Sequence, residues 1–315
     1  LEYRFLGGTG LRVSRLCFGS LTVGPLQANL PVREGAEIIR HALYAGVNFI
    51  DTAQLYDNYQ YIKEGIAGCA ADVVIATKSY DYTGKDIRRS LEEALRKLGR
   101  DYIDIYLLHE QESELTIKGH WDAVEELIGA KKKGMVRAVG ISTHSVRGVR
   151  AAADVPQFDV IHPLVNMRGI GIMDGTPGEM KEAIAHAFKC GKGLYGMKAL
   201  GGGNLINERK EALAFALSIP GLASVAVGMQ STAEVDYNLS VFNGRQVTLE
   251  MELAVSRQNR RLHIEDWCTA CGRCVEQCGQ GALAVSGGRV AVDRFRCRLC
   301  GYCSAVCREM CIKVI

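Results

Sequence analysis

VVIATKSYDYTGKDIRRSLEEALRKLGRDYIDIYLLH, residues 73–109, reads as strand, helix, strand. Its ends, VVIATKS (73–79) and YIDIYLLH (102–109), are apolar runs without long polar alternation, as strands buried on both faces require. Between them, GKDIRRSLEEALRKLG (84–99) sets Ile87, Leu91, Ala94, Leu95 and Leu98 at helical spacing. The same unit recurs along the chain. VSRLCFGSL (13–21) and NFIDTA (48–53) precede it, and VRAVGIST (136–143), DVIHPLVN (159–166), LYGMKAL (194–200) and ASVAVGM (223–229) follow. Eight βα units in a row predict an α/β fold, a closed (β/α)8 TIM barrel over residues 1–242. An open doubly wound sheet is the alternative, but no G-x-G-x-x-G follows the first strand. Residues 1–12 carry Gly-Gly and Thr-Gly turns and predict a hairpin on the barrel floor.

A second unit lies beyond the barrel. Eight of the twelve cysteines form two copies of C-x2-C-x2-C-x3-C. Cys268, Cys271, Cys274 and Cys278 make the first copy, and Cys297, Cys300, Cys303 and Cys307 the second. The spacing points to two [4Fe–4S] clusters. Three thiolates on a tight loop cap one cubane, and the fourth reaches the other. Cys268, Cys271, Cys274 and Cys307 are therefore expected to hold one cluster, and Cys297, Cys300, Cys303 and Cys278 the other. Zinc or disulfides are the alternatives, but zinc has no need of an x2-x2-x3 triplet. Cys311 repeats the position of Ala282 and is expected in the core, as are Cys17, Cys69 and Cys190. Residues 263–315 resemble the clostridial-type two-cluster ferredoxins, which implies a small α+β iron–sulfur domain. The proline usual after the fourth cysteine is replaced by Gly279 and Arg308. Residues 243–262 look helical and polar, and are expected to link the two units.

In a barrel of this kind, functional groups gather at the C-terminal ends of the strands. Asp51, Lys78 and His109 end three consecutive strands, and Tyr56 follows Asp51 on the loop. Singly, each reads as well as a loop or core residue; together they face one cleft. With DTAQLY, ATK and LLH in place, residues 1–242 resemble the aldo-keto reductases. The resemblance implies a catalytic tetrad of Asp51, Tyr56, Lys78 and His109 acting on a small-molecule carbonyl substrate. Tyr56 would deliver a proton to the developing alkoxide, with Lys78 expected to lower its pKa, Asp51 to hold Lys78, and His109 to orient the substrate oxygen.

The resemblance also implies a nicotinamide cofactor, NADP(H) or NAD(H), across the barrel mouth. Here the family's pattern is altered. Ser142 and Thr143 stand where Ser-Asn would hold the carboxamide, His162 where a Gln is usual, and Met197, followed by Lys198, where an aromatic ring would stack. Glu234, four before Asn238, replaces a basic residue near the adenosine 2′-phosphate, which leaves NADP over NAD open. Gly201-Gly202-Gly203 and Gly228-Met229-Gln230-Ser231 offer backbone N–H groups to a pyrophosphate, or are plain turns.

The net charge of +3 gives no electrostatic case for nucleic acid or a membrane surface. No long apolar run and no apolar signal core are read, and free thiols with oxygen-sensitive clusters suit a reducing cytoplasm. Hydride comes as two electrons, whereas cubanes pass one at a time. Three readings stay open. The barrel is a nicotinamide-dependent carbonyl reductase whose clusters serve an electron-transfer protein partner or stability; or its altered pocket holds a flavin or takes electrons directly from the clusters; or it is an electron-transfer or scaffold module without turnover. Glu110, Glu112 and Glu114 read as an acidic loop at solvent.

Overall fold

The computed structural model describes residues 1–69, 72–256 and 260–315. Eight parallel strands close a barrel in chain order. They are β1 (Leu16–Gly19), β2 (Phe49–Asp51), β3 (Val74–Ser79), β4 (Ile103–Leu108), β5 (Val136–Thr143), β6 (Val160–Pro163), β7 (Gly193–Gly196) and β8 (Ser224–Gly228). β8 pairs with β1, Val225 opposite Leu16, which removes both sheet edges. The helix after β3, Gly84–Leu98, buries Ile87, Leu91, Ala94 and Leu98. Thr83 caps its start by accepting from the Asp86 N–H, and Gly99 ends it at φ 65°.

Tyr3–Phe5 pairs antiparallel with Arg12–Ser14 to floor the barrel. Leu6, Leu11 and Val13 seal the bottom against Cys17, Phe49, Ile105 and Tyr195. The first strand thus begins later than the sequence suggests: Val13 and Ser14 belong to the hairpin. Of the remaining thiols, Cys17 is buried as expected, Cys69 is half-buried, and Cys190 is exposed at the end of the helix Pro177–Lys189.

After the barrel a helix spans Leu249–Ser256. The helical reading of residues 243–262 holds for that stretch alone; residues 257–259 lie outside the described ones, and Leu262 begins a strand. That strand, Leu262–Ile264, pairs antiparallel with Ile312–Val314. A hairpin of Leu283–Ser286 and Arg289–Val292 and two short helices, Arg273–Gln277 and Tyr302–Ala305, complete a small α+β unit. The sequence duplication is also a backbone duplication. Ala270 and Leu299 take φ 52° and 51°, and Gly272 and Gly301 take 81° and 76°.

The last strand docks on the loop after β7. Val314 donates its N–H to the Gly202 carbonyl at 2.9 Å, and Asn204 Nδ2 donates to the Ile312 carbonyl at 3.3 Å. Met310 joins an apolar cluster with Leu164, Ile170, Met197 and Leu205. The glycine run 201–203 therefore receives this strand, and a Cβ on Gly203 would lie 2.1 Å from the Val314 carbonyl oxygen. At φ 86°, Gly203 also holds a conformation that other residues reach only with strain. Gly203→Ala is expected to weaken the fold by roughly 1–3 kcal/mol, read from urea midpoints. Gly8→Ala, which meets no atom within 4 Å, is expected to leave them unchanged.

Candidate active site

Asp51 closes β2, Lys78 lies near the end of β3, and His109 follows β4, so the barrel carries all three to its C-terminal mouth. Tyr56 comes in on the short turn Gln54–Tyr56. Lys78 is 1 % exposed and Asp51 5 %. The Lys78 ammonium donates to Asp51 Oδ1 at 2.9 Å, to Asp51 Oδ2 at 2.8 Å and to the Thr52 carbonyl at 2.7 Å. Those three bonds use all of its protons. Asp51 Oδ1 also accepts from the Tyr195 hydroxyl at 2.9 Å.

This geometry changes the role expected of Lys78. Its nitrogen lies 5.1 Å from the centre of the Tyr56 ring and has no proton left to donate to the phenol. Burial, then the charges of Asp51 and Glu110, hold the Tyr56 pKa well above the usual phenol value, where lowering was expected. Tyr56 is thereby held as the neutral phenol, the form that has a proton to give.

Three histidines are kept neutral around it. His109 stacks on Tyr80 with centres 4.3 Å apart and meets Tyr56 edge-on at 6.0 Å. Burial first, then Lys78 and Lys198, press its pKa well below the ordinary value, and its buried Nδ1 has no hydrogen-bond partner among the described residues. His144, also depressed by burial, has a buried Nε2 with no hydrogen bond, 3.5 Å from Glu110. His162 donates from Nδ1 to the Tyr195 carbonyl at 2.6 Å, the tautomer that bond requires. Its Nε2 faces Asp51 Oδ1 at 3.5 Å, and burial pushes its pKa down to about 4.

The mouth opens into a cavity of about 640 Å³. From the tetrad, Asp51, Tyr56 and His109 line it. Of the expected cofactor contacts, His162, Met197, Lys198, Gly228 and Gln230 line it as well. Ser142, Thr143 and Ser231 do not, because their hydroxyls are turned to the backbone. Ser142 accepts from the Glu110 N–H at 2.9 Å, Thr143 from Ser145 at 2.9 Å, and Ser231 from Glu234 at 3.2 Å, capping the helix Thr232–Phe242. Glu234 pairs with Arg260, which offsets the charge that it would present to a phosphate. Glu110 sits at φ 53°, keeps part of its side chain at solvent, lines the cavity and accepts from the Tyr80 hydroxyl at 2.6 Å.

The opposite wall belongs to the small unit, through Glu265, Trp267, Arg308, Met310 and Lys313. Trp267 and Arg308 are the chain neighbours of Cys268 and Cys307, so the wall and two of the expected cluster ligands are consecutive in the chain. Cys268, Cys271, Cys274 and Cys307 surround a second, smaller cavity. Cys303 is pushed up to about 12, by burial first and then by Cys297 and Cys300, with Cys274 and Cys278 also near. The Ala282 N–H donates to Cys278 Sγ at 3.4 Å, and the Cys311 N–H to Cys307 Sγ at 3.3 Å. The duplication thus aims equivalent backbone donors at equivalent sulfurs. Converging thiols with N–H donors are the set that a thiolate-bound cluster takes.

Sequence reasoning missed Tyr195, His144 and Tyr80; it leads one to expect the iron–sulfur unit to dock near the cofactor pocket, but not which of its residues form the far wall. Tyr195 left one signal: a tyrosine within a buried strand must find its hydroxyl a partner. The particular residues of the far wall left none, since they depend on how two surfaces meet.

The comparisons agree with this geometry. Residues 15–212 match the aldo/keto reductase family, and residues 262–284 match the 4Fe-4S binding domain. The chain belongs to the aldo/keto reductase family, and it is an oxidoreductase with an iron–sulfur domain attached. It is 24 % identical to L-galactose dehydrogenase of Arabidopsis thaliana over 294 residues, 76 % of this chain and 88 % of that one. It is 27 % identical to a methylglyoxal reductase of Salmonella typhimurium over 171 residues, 51 % of this chain and 62 % of that one. In fold it is similar to an aldo-keto reductase from Bacillus halodurans in its holo form, with a TM-score of 0.66, 22 % identity, and coverage of 81 % of this chain and 95 % of that one. Among the described residues no helix is long and apolar enough to cross a membrane.

His162 gives the site a pH signature. Its folded pKa, about 4, lies below the unfolded value near 6.5, so the unfolded chain binds the extra proton between those pH values. Stability should therefore rise as pH increases from about 4 to 6.5 and fall on acidification. The His162 share is on the order of 3 kcal/mol. Denaturant titrations across that window should show a shallower slope for His162→Gln than for the parent.

Proposed function

We propose that this chain reduces the carbonyl group of a small molecule, with a nicotinamide nucleotide as hydride donor, and that two [4Fe–4S] clusters link the barrel to one-electron transfer. One observation carries the reading: Tyr56 and His109 share a single cavity with Trp267, Arg308 and Met310 from the iron–sulfur unit. When bound, the nicotinamide supplies an electron pair as hydride. The chain's own residues supply the rest. Neutral His109 orients the carbonyl oxygen, and Tyr56 gives that oxygen its proton, so that hydride and proton together yield the alcohol. Lys78, fixed by Asp51, Thr52 and Tyr195, keeps positive charge beneath the developing alkoxide.

The clusters are assigned in crossed sets, Cys268, Cys271, Cys274 and Cys307 for one and Cys297, Cys300, Cys303 and Cys278 for the other. Cys268, Cys271, Cys274 and Cys307 line one small cavity together with Cys311, which supports the first set, and Cys297, Cys300 and Cys278 are among the cysteines that act on Cys303, with Cys274. The first set backs the shared wall, which makes it the entry to the barrel; the second would then meet an electron-transfer protein. Together they resemble the clostridial-type two-cluster pattern.

A second reading is favoured by Ser142 and Thr143, which leave a nicotinamide without a carboxamide clamp. A flavin in the cavity would bridge hydride and single-electron chemistry. The visible spectrum of anaerobically purified protein separates the two. Flavin bands support the second reading, and bleaching of a broad cluster band by NAD(P)H without flavin supports the first.

Tyr56→Phe is expected to lower carbonyl reduction by roughly 10²–10⁴-fold with little change in cofactor affinity, assayed with methylglyoxal, the compound in a relative's name. Full activity in that variant would remove Tyr56 from the chemistry. Anaerobic reconstitution should give about eight irons per chain. Cys278→Ala should deplete the cluster of Cys297, Cys300 and Cys303. Four irons in the parent, or depletion of the other cluster, would reject the crossed assignment.

A further inference from the structure

Two lysines in the cavity wall form no salt bridge among the described residues. Lys198 follows β7 at φ 59°, in the left-handed region that a non-glycine residue holds only when its surroundings fix it there. Its Nζ has one hydrogen-bond partner among the described residues, the Met310 sulfur at 3.7 Å, which is a weak acceptor. Lys313, on the last strand, is 5 % exposed, and its Nζ donates only to the Met310 carbonyl. Met310 thus lies between the two. Neither lysine forms a salt bridge among the described residues, with 4.0 Å as the limit.

The surrounding charges do not cancel this pair. Glu110 and Glu265 pull towards both lysines, but Glu110 is turned to Tyr80 and His144, and Glu265 to His263 at 3.3 Å. Lys78 is occupied by Asp51. Burial and repulsion from Lys313 bring Lys198 down to about 7, so a negative charge beside it would be welcome. Lys313 also faces Cys307 and Cys311, whereas no cysteine is among the charges that act on Lys198. Lys313 is buried and Lys198 part-buried, cations held out of water without a paired counter-ion are costly, and both line the same cavity as Tyr56 and His109.

We infer that the cavity takes a carbonyl compound bearing a compact anion, a carboxylate or a phosphate, seated between Lys198 and Lys313 with its carbonyl towards Tyr56. An oxo acid is the simplest member of that class. The inference rests on the carbonyl-reducing reading and gives it a substrate class. One lysine comes from each unit, so only the docked chain presents the anion site.

The test is calorimetric binding to the cluster-loaded protein, without turnover. Pyruvate and 2,3-butanedione have nearly the same shape and differ by the charge. Pyruvate should bind at least about tenfold more tightly, and inorganic phosphate should compete with it. Lys198→Met should abolish the preference, and Lys198→Arg should restore most of it. Lys313→Met should weaken pyruvate binding while the visible cluster band confirms an intact iron–sulfur unit. Equal binding of the two probes overturns the inference, as does failure to bind either pyruvate or 2-oxoglutarate. A Lys198→Met variant that loses NADPH affinity but keeps its pyruvate preference also overturns it, assigning the cations to a cofactor phosphate. Pyruvate preference in a protein that reduces no carbonyl would instead retain the anion site and reject the reductase reading.

Discussion

The bond from the Val314 N–H to the Gly202 carbonyl holds the architecture together. It fixes the last strand to the loop after β7, and only glycine at 203 lets the two backbones come so close. From that contact the rest follows. Met310 enters the apolar cluster beside Met197, Lys313 reaches the barrel mouth, and Trp267 and Arg308 become a cavity wall. A barrel mouth that would otherwise open to solvent is roofed by the unit that carries the cysteines. Exclusion of water strengthens every charge interaction beneath such a roof.

Under the roof, one carboxylate organises the polar groups. Asp51 accepts from Lys78 and Tyr195 and lies opposite the bare Nε2 of His162. A buried carboxylate with charged and neutral donors is well satisfied, and replacing either partner alone would leave a charge exposed to low dielectric. The Asp51 network therefore makes Lys78 a fixed local charge rather than a proton source. In the proposed reaction Tyr56 is left as the proton donor, between that charge and a neutral His109. The phenol's high pKa suits a group that must stay protonated until an alkoxide forms against it.

The barrel was legible because its signal is local. Buried strands such as VVIATKS and the helix pattern of Ile87, Leu91, Ala94 and Leu98 announce themselves within a few residues. The gathering of Asp51, Tyr56, Lys78 and His109 at one mouth follows from barrel topology, so four positions became one site. What the sequence did not reveal depends on orientation or on distant surfaces. Ser142 and Thr143 sit at the right strand end, but their hydroxyls face the backbone, which no spacing reveals. Glu110 and Glu112 read as acidic loop residues at solvent, and both line the cavity mouth, Glu110 from a left-handed backbone position. The glycine run, open in the sequence between an anion nest and a plain turn, became a docking surface, because the strand that fills it lies over a hundred residues away. Strand ends moved for a related reason: Val13 and Ser14 suit a barrel strand as well as a floor hairpin, and pairing decided.

The central claim is that the iron–sulfur unit and the catalytic residues act on one cavity. The most direct measurement is an anaerobic stopped-flow experiment on protein that keeps its natural cavity cofactor. Its clusters are first reduced with a one-electron donor, and the protein is then mixed with a carbonyl compound that it turns over. The account predicts recovery of the oxidised cluster absorbance at the rate of alcohol formation, with both slowed together in Tyr56→Phe. Clusters that stay reduced while alcohol forms, or that re-oxidise equally fast without Tyr56, would contradict it.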